Sequence, residues 1–71
     1  MNLLQIGELF RKRRGSLGLR QEDLSEMSGI NMRTIQHLEL GKANPSFVTM
    51  EKIALILGLE IVVQVKQPEN G

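Results

Sequence analysis

Side chains that can recognise the edges of nucleic-acid bases recur at helical spacing near the middle of the chain. They are Asn31, Met32, Arg33, Gln36 and His37. The guanidinium of Arg33 can bond bidentately to O6 and N7 of guanine, which discriminates between bases by about 1–3 kcal/mol. Met32 offers an apolar contact for a thymine methyl group. The alternative is that these residues form an ordinary solvated helix face. The apolar residues of the surrounding segment help to decide between the two.

That segment has the spacing of a helix-turn-helix over residues 21–41. The apolar positions at which two short helices would face each other are Leu24, Ile30, Ile35 and Leu38. Gly29 lies between the helices, where the turn needs a residue that tolerates positive φ. The second helix of such a unit can lie in a DNA major groove, which favours base contact over a merely solvated face.

A longer set of residues extends this pattern. It comprises Gln21, Leu24, Ser25, Gly29, Ile30, Thr34, Ile35, Leu38, Glu39 and the exit over residues 41–46. Together at this spacing they resemble the small phage-repressor helix-turn-helix domains of the Cro/C1 (XRE) type. The resemblance covers residues 3–59. It implies that Met32, Arg33 and His37 reach base edges, with Asn31 at the groove-facing start of the helix.

The same resemblance implies roles for residues outside the recognition helix. Gln21 begins the first helix of the motif and would bind a DNA phosphate, although it could instead bond only to its own backbone. Arg14 and Glu39 match a partly buried pair that joins the first helix of the domain to the end of the third. We therefore expect Arg14 to be structural rather than a DNA contact.

Other polar residues are candidates for phosphate contact. They are Arg11, Lys42, Asn44 and Ser46. Residues 11–14 are all basic, but a helix points such a run in nearly all directions, so only some can reach DNA. We expect Arg11 and Arg13 to be solvated or to face phosphate. For the residues of the loop after the recognition helix, where backbone N–H groups can meet phosphate, an ordinary polar turn is the alternative.

Periodicity and caps predict four helices. They run over residues 3–17, 21–28, 31–40 and 46–58, the last with a buried face that includes Phe47 and Met50. Asn31 and Ser46 are natural N-caps. Gly7 falls inside the first helix, where glycine costs about 1 kcal/mol relative to alanine.

A different pattern follows Gly58. Over residues 60–66, Ile61, Val63 and Val65 alternate with other residues, and β-branched side chains at period two predict a strand. No second strand is visible, so we expect antiparallel pairing with the same strand of a second copy. Cro/C1-type domains usually carry a fifth helix here. A strand resembles instead the small HipB-type antitoxins, whose two protomers share such a ribbon.

The predicted fold is therefore mainly all-α, a four-helix lambda-repressor-like domain with a C-terminal strand that pairs across a dimer. Residues 1–59 form the DNA-binding domain, residues 60–67 the dimerisation strand and residues 68–71 a flexible tail. The chain has 71 residues, which permits one domain with a core that is marginal by itself. Dimerisation would add stability.

Composition argues against several other classes. There is no cysteine and a single histidine, so we expect no metal or cofactor. Neither a nucleophile beside a base nor a phosphate-binding glycine loop is visible, so we do not expect an enzyme. The apolar runs are too short to span a membrane and there is no signal-peptide pattern, which indicates a cytoplasmic protein without a membrane partner.

Two functions remain open. One is a sequence-specific regulator of transcription, a dimeric repressor that reads a two-fold operator in double-stranded DNA with residues 31–40. The other is an antitoxin that also holds a partner toxin, such as a HipA-type kinase, while regulating its own operon. An interaction module without a DNA role is disfavoured, because Arg33, Gln21 and Lys42 fall on one face.

Overall fold

The computed structural model describes residues 1–67, and within them the fold is all-α. Its helices are α1 (Leu3–Ser16), α2 (Gln21–Ser28), α3 (Met32–Glu39) and α4 (Phe47–Leu57). These are the four helices that the sequence predicts, with small differences at their ends. No helix in the described part of the chain is long and apolar enough to cross a membrane. The tail predicted for residues 68–71 lies outside the described residues.

Local hydrogen bonds set the helix ends. At the start of α1, Asn2 Oδ1 accepts the backbone N–H of Gln5 and the Gln5 side chain accepts that of Asn2, both at 2.9 Å, which forms a capping box. Ser46 Oγ accepts the Thr49 N–H at 3.2 Å and caps α4 as predicted. Gly58 ends α4 in the left-handed conformation with φ +68°. These bonds join near neighbours in sequence, so local patterns suffice to predict them.

The core is aliphatic apart from one phenylalanine, and every helix contributes to it. Its buried members are Phe10, Leu24, Ile35, Leu38, Ile53, Ala54 and Leu57. The helix-turn-helix positions Leu24, Ile35 and Leu38 are buried as predicted, and Ile30 packs against the cluster with partial exposure. The prediction that Phe47 belongs to this core is wrong, since Phe47 is 50 % exposed. As the first residue of α4 it projects back past the helix start, because helical side chains tilt towards the N-terminus.

Close approach of α1 to the end of α3 depends on two glycines. Gly7 is buried, and a Cβ built there would overlap the carbonyl oxygen of Leu38. Gly41 has φ +71°, and a Cβ there would lie 2.8 Å from the Cα of Leu4. The sequence identifies Gly7 only as a cost to helix formation. The structure corrects this interpretation, because the absent side chain is what lets the two helix backbones come together.

The segment that follows α4 is not a strand in the isolated chain. Residues 60–67 carry no regular secondary structure. A strand is defined by hydrogen bonds to a neighbouring strand, and the rest of the described chain is helix and loop. Ile61 packs against the core, whereas Val63 and Val65 are 91 % and 90 % exposed. The alternating side chains that predict a strand are therefore present but uncovered beyond Ile61.

Candidate nucleic-acid interface

Helix α3 divides its side chains between the core and the solvent. Ile35, Leu38 and Glu39 are buried. The residues that the sequence predicts to contact bases lie away from the core, where Asn31, Met32, Arg33 and Gln36 are exposed and His37 is partly buried. We call Asn31, Met32, Arg33, Gln36 and His37 the polar face of α3. The structure thus leaves all the predicted base contacts outside the core, four of them on α3 and Asn31 at its N-cap.

Asn31 has part of its hydrogen-bonding capacity already engaged. Its Oδ1 accepts the backbone N–H of Thr34 at 2.8 Å, which confirms the predicted N-cap of α3. The Nδ2 group takes no part in this bond and can donate to a ligand.

Two serine hydroxyls fix the turn that carries α3. Ser25 Oγ donates to the carbonyl oxygen of Ile30 at 2.6 Å. Ser28 Oγ donates to the carbonyl of Leu24 at 2.6 Å and accepts the Ile30 N–H at 3.2 Å. Gly29 between them adopts φ +75°, as the predicted turn requires. The orientation of the polar face is thus set by a turn that these hydroxyl groups hold in place.

A buried ion pair joins α1 to the end of α3. Arg14 Nε and NH2 donate to Oε2 and Oε1 of Glu39 at 2.7 and 2.9 Å, a bidentate geometry. Arg14 NH1 also donates to the Leu19 carbonyl at 2.9 Å, which ties down the loop between α1 and α2. The hydrogen bonds to Glu39 raise the pKa of Arg14 above its ordinary value. Arg14 is thus engaged inside the domain, as the resemblance implies, and is not free to contact DNA.

Gln21, the predicted phosphate contact, begins α2 and is partly buried. Its Nε2 donates to Oε1 of Glu39 at 3.0 Å. One of its two Nε2–H donors is therefore used inside the protein, and the second is not engaged by another bond within residues 1–67. The sequence contains no local signal for this contact, because Gln21 and Glu39 are far apart along the chain.

The loop between α3 and α4 forms a shallow notch with the polar face of α3. The notch has a volume of about 260 Å³ and is lined by Arg33, Thr34, His37, Ala43, Asn44 and Pro45. The backbone N–H groups of Lys42 and Ala43 donate to the His37 carbonyl at 2.9 and 3.3 Å. These two N–H groups are therefore not free to meet phosphate as the sequence suggests. Lys42 itself is exposed and offers its ammonium group instead.

The basic residues of α1 differ in what they contact. Arg11 is exposed, as a phosphate contact must be. Arg13 is also exposed, as the sequence predicts, but its Nε donates to the Leu57 carbonyl at 2.7 Å. That bond satisfies a carbonyl at the end of α4, where a cation is also favoured by the helix dipole. A long-range contact, which the residue type does not reveal, thus distinguishes Arg13 from Arg11.

The acidic residues at the start of α2 engage Arg20. Arg20 N–H donates to Asp23 Oδ2 at 2.8 Å, and this bond, with one from the Arg20 side chain, lowers the pKa of Asp23 below its ordinary value. Arg20 NH1 also lies 3.4 Å from Glu22 Oε1. Within residues 1–67, no group of three His, Asp or Glu side chains is placed to hold a metal ion.

These features define a class of protein. Two short helices share a core across a tight turn, and the second presents a polar face with a basic group at its centre, which is the geometry of helix-turn-helix DNA-binding proteins. Comparison with known families agrees with this class. The helix-turn-helix family model matches residues 10–64, and the chain belongs to this family, in its XRE (Cro/C1) type.

Individual relatives support the same family. An HTH-type transcriptional regulator of Methanothermobacter thermautotrophicus is 44 % identical over 52 residues, which cover 73 % of this chain and 75 % of that protein. The HTH-type transcriptional regulator y4dJ of Sinorhizobium fredii is 33 % identical over 57 residues, covering 80 % and 74 %. The crystal structure of the restriction-modification controller protein C.AhdI from Aeromonas hydrophila superposes with a TM-score of 0.77 and 34 % identity, covering 82 % of this chain and 88 % of that one.

Proposed function

We propose that this protein is a sequence-specific, dimeric repressor that binds a two-fold operator in double-stranded DNA through α3. The observation that carries the proposal is the polar face of α3, which is accessible along its length while the opposite side of the same helix is held in the core. A helix fixed in this way can enter the major groove without rearrangement, so little ordering cost opposes binding. Residues 1–59 act as the DNA-binding domain, and the protein works in the cytoplasm.

Base recognition centres on Arg33. Its side chain is exposed next to the notch, where it can reach O6 and N7 of a guanine. Met32 lies beside it and supplies an apolar contact for a thymine methyl group. Asn31 can donate from Nδ2 while its Oδ1 caps α3, and Gln36 and His37 extend the contact along the groove.

Phosphate contacts surround this face. Gln21 donates its second Nε2–H, and Arg11 and Lys42 supply charge that releases counterions from the DNA. Asn44 lies in the wall of the notch. Ser46 contributes the least, because its hydroxyl is already bonded to the backbone N–H and the side chain of Thr49.

Dimerisation in this proposal uses residues 60–67. Val63 and Val65 are almost fully exposed, and their burial against a second copy would remove apolar surface from water. In an antiparallel ribbon centred on Val63, Val65 of the second copy lies opposite Ile61, which is anchored to its own core. The pairing would also satisfy backbone groups that the isolated chain leaves to solvent.

A selection of bound sequences from a random DNA pool tests this function. We expect enrichment of an inverted repeat whose half-site centres are about 34 Å apart, or a multiple of that distance, because a two-fold dimer presents both copies of α3 to one side of the duplex. Enrichment of a single half-site would contradict the dimer. Recovery of unselected sequence would contradict specific binding altogether.

An antitoxin is the second candidate function, and an apolar groove favours it. The groove has a volume of about 460 Å³ and is lined by Met1, Ile6, Leu9, Phe10, Met50 and residues 59–62. A partner toxin, a HipA-type kinase or similar, could dock there while the same dimer regulates the operon. Copurification of the protein with the product of a neighbouring gene would support this candidate. The likeness to C.AhdI suggests instead that the neighbouring genes encode a restriction-modification system.

A further inference from the structure

Glu39 collects hydrogen bonds from two other structural elements at one carboxylate. Arg14 of α1 donates to both of its oxygens, and Gln21 at the start of α2 donates to Oε1 at 3.0 Å. Glu39 is only 5 % exposed, so water has little access to replace these hydrogen bonds. The buried ion pair is therefore connected directly to the residue that the proposed function places on a DNA phosphate.

The carboxylate also determines which way the Gln21 amide points. A carboxylate can only accept hydrogen bonds, so the Nε2 group of Gln21 must face Glu39. The opposite orientation would place the amide oxygen against a carboxylate oxygen. A phosphate oxygen likewise only accepts, and Nε2 carries a second N–H that can serve it. One nitrogen can thus bridge Glu39 and DNA.

Charge balance allows this bridge. An isolated carboxylate near the DNA would repel the phosphate, but the bidentate bonds from Arg14 compensate the charge of Glu39. The long side chain of Gln21 would otherwise lose rotamer freedom on binding, and its bond to Glu39 removes part of that freedom beforehand.

We infer that Glu39 is a positioning residue for DNA binding, which holds the Gln21 amide ready to donate to a backbone phosphate. The inference rests on the proposed DNA-binding function. It goes beyond the structural role of the Arg14–Glu39 pair, because it predicts energetic coupling between Glu39 and Gln21 in DNA affinity and not only in folding stability.

A double-mutant cycle on DNA affinity tests this coupling. The probe is a fluorescently labelled random-sequence DNA duplex, since binding to such DNA depends on phosphate contacts. We expect Gln21→Ala and Glu39→Gln each to weaken binding about tenfold, as for loss of a hydrogen bond to a charged group. The double variant should bind no more weakly than either single variant. Additive losses, about a hundredfold together, would overturn the inference.

A second variant keeps the test decisive if Glu39→Gln does not fold. Gln21→Asn retains the amide but is one methylene shorter, so it cannot reach Glu39 and a phosphate together. We expect it to melt close to the wild-type temperature and to bind the duplex as weakly as Gln21→Ala. Wild-type affinity would overturn the inference. If the wild-type protein itself fails to bind the duplex, the proposed DNA-binding function is contradicted. If the wild type binds and the variants show no coupling, only the role of Glu39 is contradicted.

Nuclear magnetic resonance supplies a readout that a purely structural role would not change. In wild type, the side-chain amide protons of Gln21 should shift when the duplex is added, because Nε2 gains a phosphate acceptor. Unchanged chemical shifts of these amide protons at saturation with DNA would overturn the inference.

Discussion

The Cα atom of Gly7 in α1 packs directly against the carbonyl oxygen of Leu38 near the end of α3. A Cβ at Gly7 would overlap that oxygen and would lie within 2.9 Å of the Glu39 carbonyl. Both obstacles are backbone atoms of the helix that carries the polar face, so they cannot move aside as a flexible side chain would. The contact therefore sets how far α1 stands from α3.

Gly7→Ala should lower the free energy of unfolding by about 1–3 kcal/mol, since it forces apart two helix backbones in a packed core. Gly15→Ala is the matched control within the same helix, because nothing lies within 4 Å of a Cβ there. Alanine at position 15 should be neutral or stabilise by up to about 1 kcal/mol. Urea denaturation followed by circular dichroism measures both. Equal effects of the two substitutions would contradict the packing role of Gly7.

Arg14→Met should lower the free energy of unfolding by about 3 kcal/mol, because it leaves the buried carboxylate of Glu39 without its counter-charge. The double variant with Glu39→Met should recover much of the loss, since no charge then remains buried. Arg20→Met is the control. Its side chain is exposed and pairs with Glu22 and Asp23 at 3.4 Å in solvent, so we expect a much smaller change in melting temperature. A double variant as unstable as Arg14→Met would exclude charge burial as the cause.

Arg33→Ala should reduce affinity for the selected operator about tenfold or more while leaving affinity for random-sequence DNA nearly unchanged, because Arg33 is proposed to read a base. Lys42→Ala should weaken binding to both DNAs and reduce the slope of log K against log salt by about 1, as expected for a phosphate contact. Fluorescence anisotropy at several salt concentrations separates these effects. Unchanged selectivity in Arg33→Ala would contradict its proposed role.

Val63→Lys should shift the protein from dimer to monomer in sedimentation equilibrium, because it places like charges opposite each other at the proposed ribbon centre. The domain itself should stay helical, since Val63 is 91 % exposed in the single chain. Leu55→Lys is the control, as Leu55 is an exposed apolar residue on α4 and lies outside the ribbon. It should leave the association state unchanged. A wild-type protein that sediments as a monomer at micromolar concentration would exclude the ribbon.

Asp23 should make stability depend on pH in the acid range. Its pKa is lowered from the ordinary value of 3.8, first by the backbone N–H of Arg20 and then by the Arg20 side chain. Because the pKa of Asp23 is lower in the folded state, its carboxylate contributes fully to stability above the pKa of the unfolded state. That contribution is lost as the pH falls through the pKa of the folded state. The melting temperature of wild type should therefore exceed that of Asp23→Asn at neutral pH. The difference should shrink below about pH 4, and a constant difference would contradict this linkage.

The sequence alone determined the helices, their caps and the helix-turn-helix core. The periodicity that buries Leu24, Ile35 and Leu38 and the caps formed by Asn31 and Ser46 act between residues a few positions apart. Neighbouring residues are held close together by the chain itself, so their spacing carries the information. For the same reason the sequence alone predicts which residues form the polar face of α3.

Only the tertiary structure decided which polar side chains bond to distant parts of the chain. Arg11 and Arg13 look alike in sequence, yet Arg13 is bonded to Leu57 at the end of α4. The link from Gln21 to Glu39 and the need for glycine at position 7 arise in the same way, from elements far apart in the chain. Such contacts depend on how helices pack, which local spacing does not encode. Local spacing is likewise insufficient for residues 60–66, because a strand forms only when its backbone groups find a partner strand, and the structure describes none within residues 1–67.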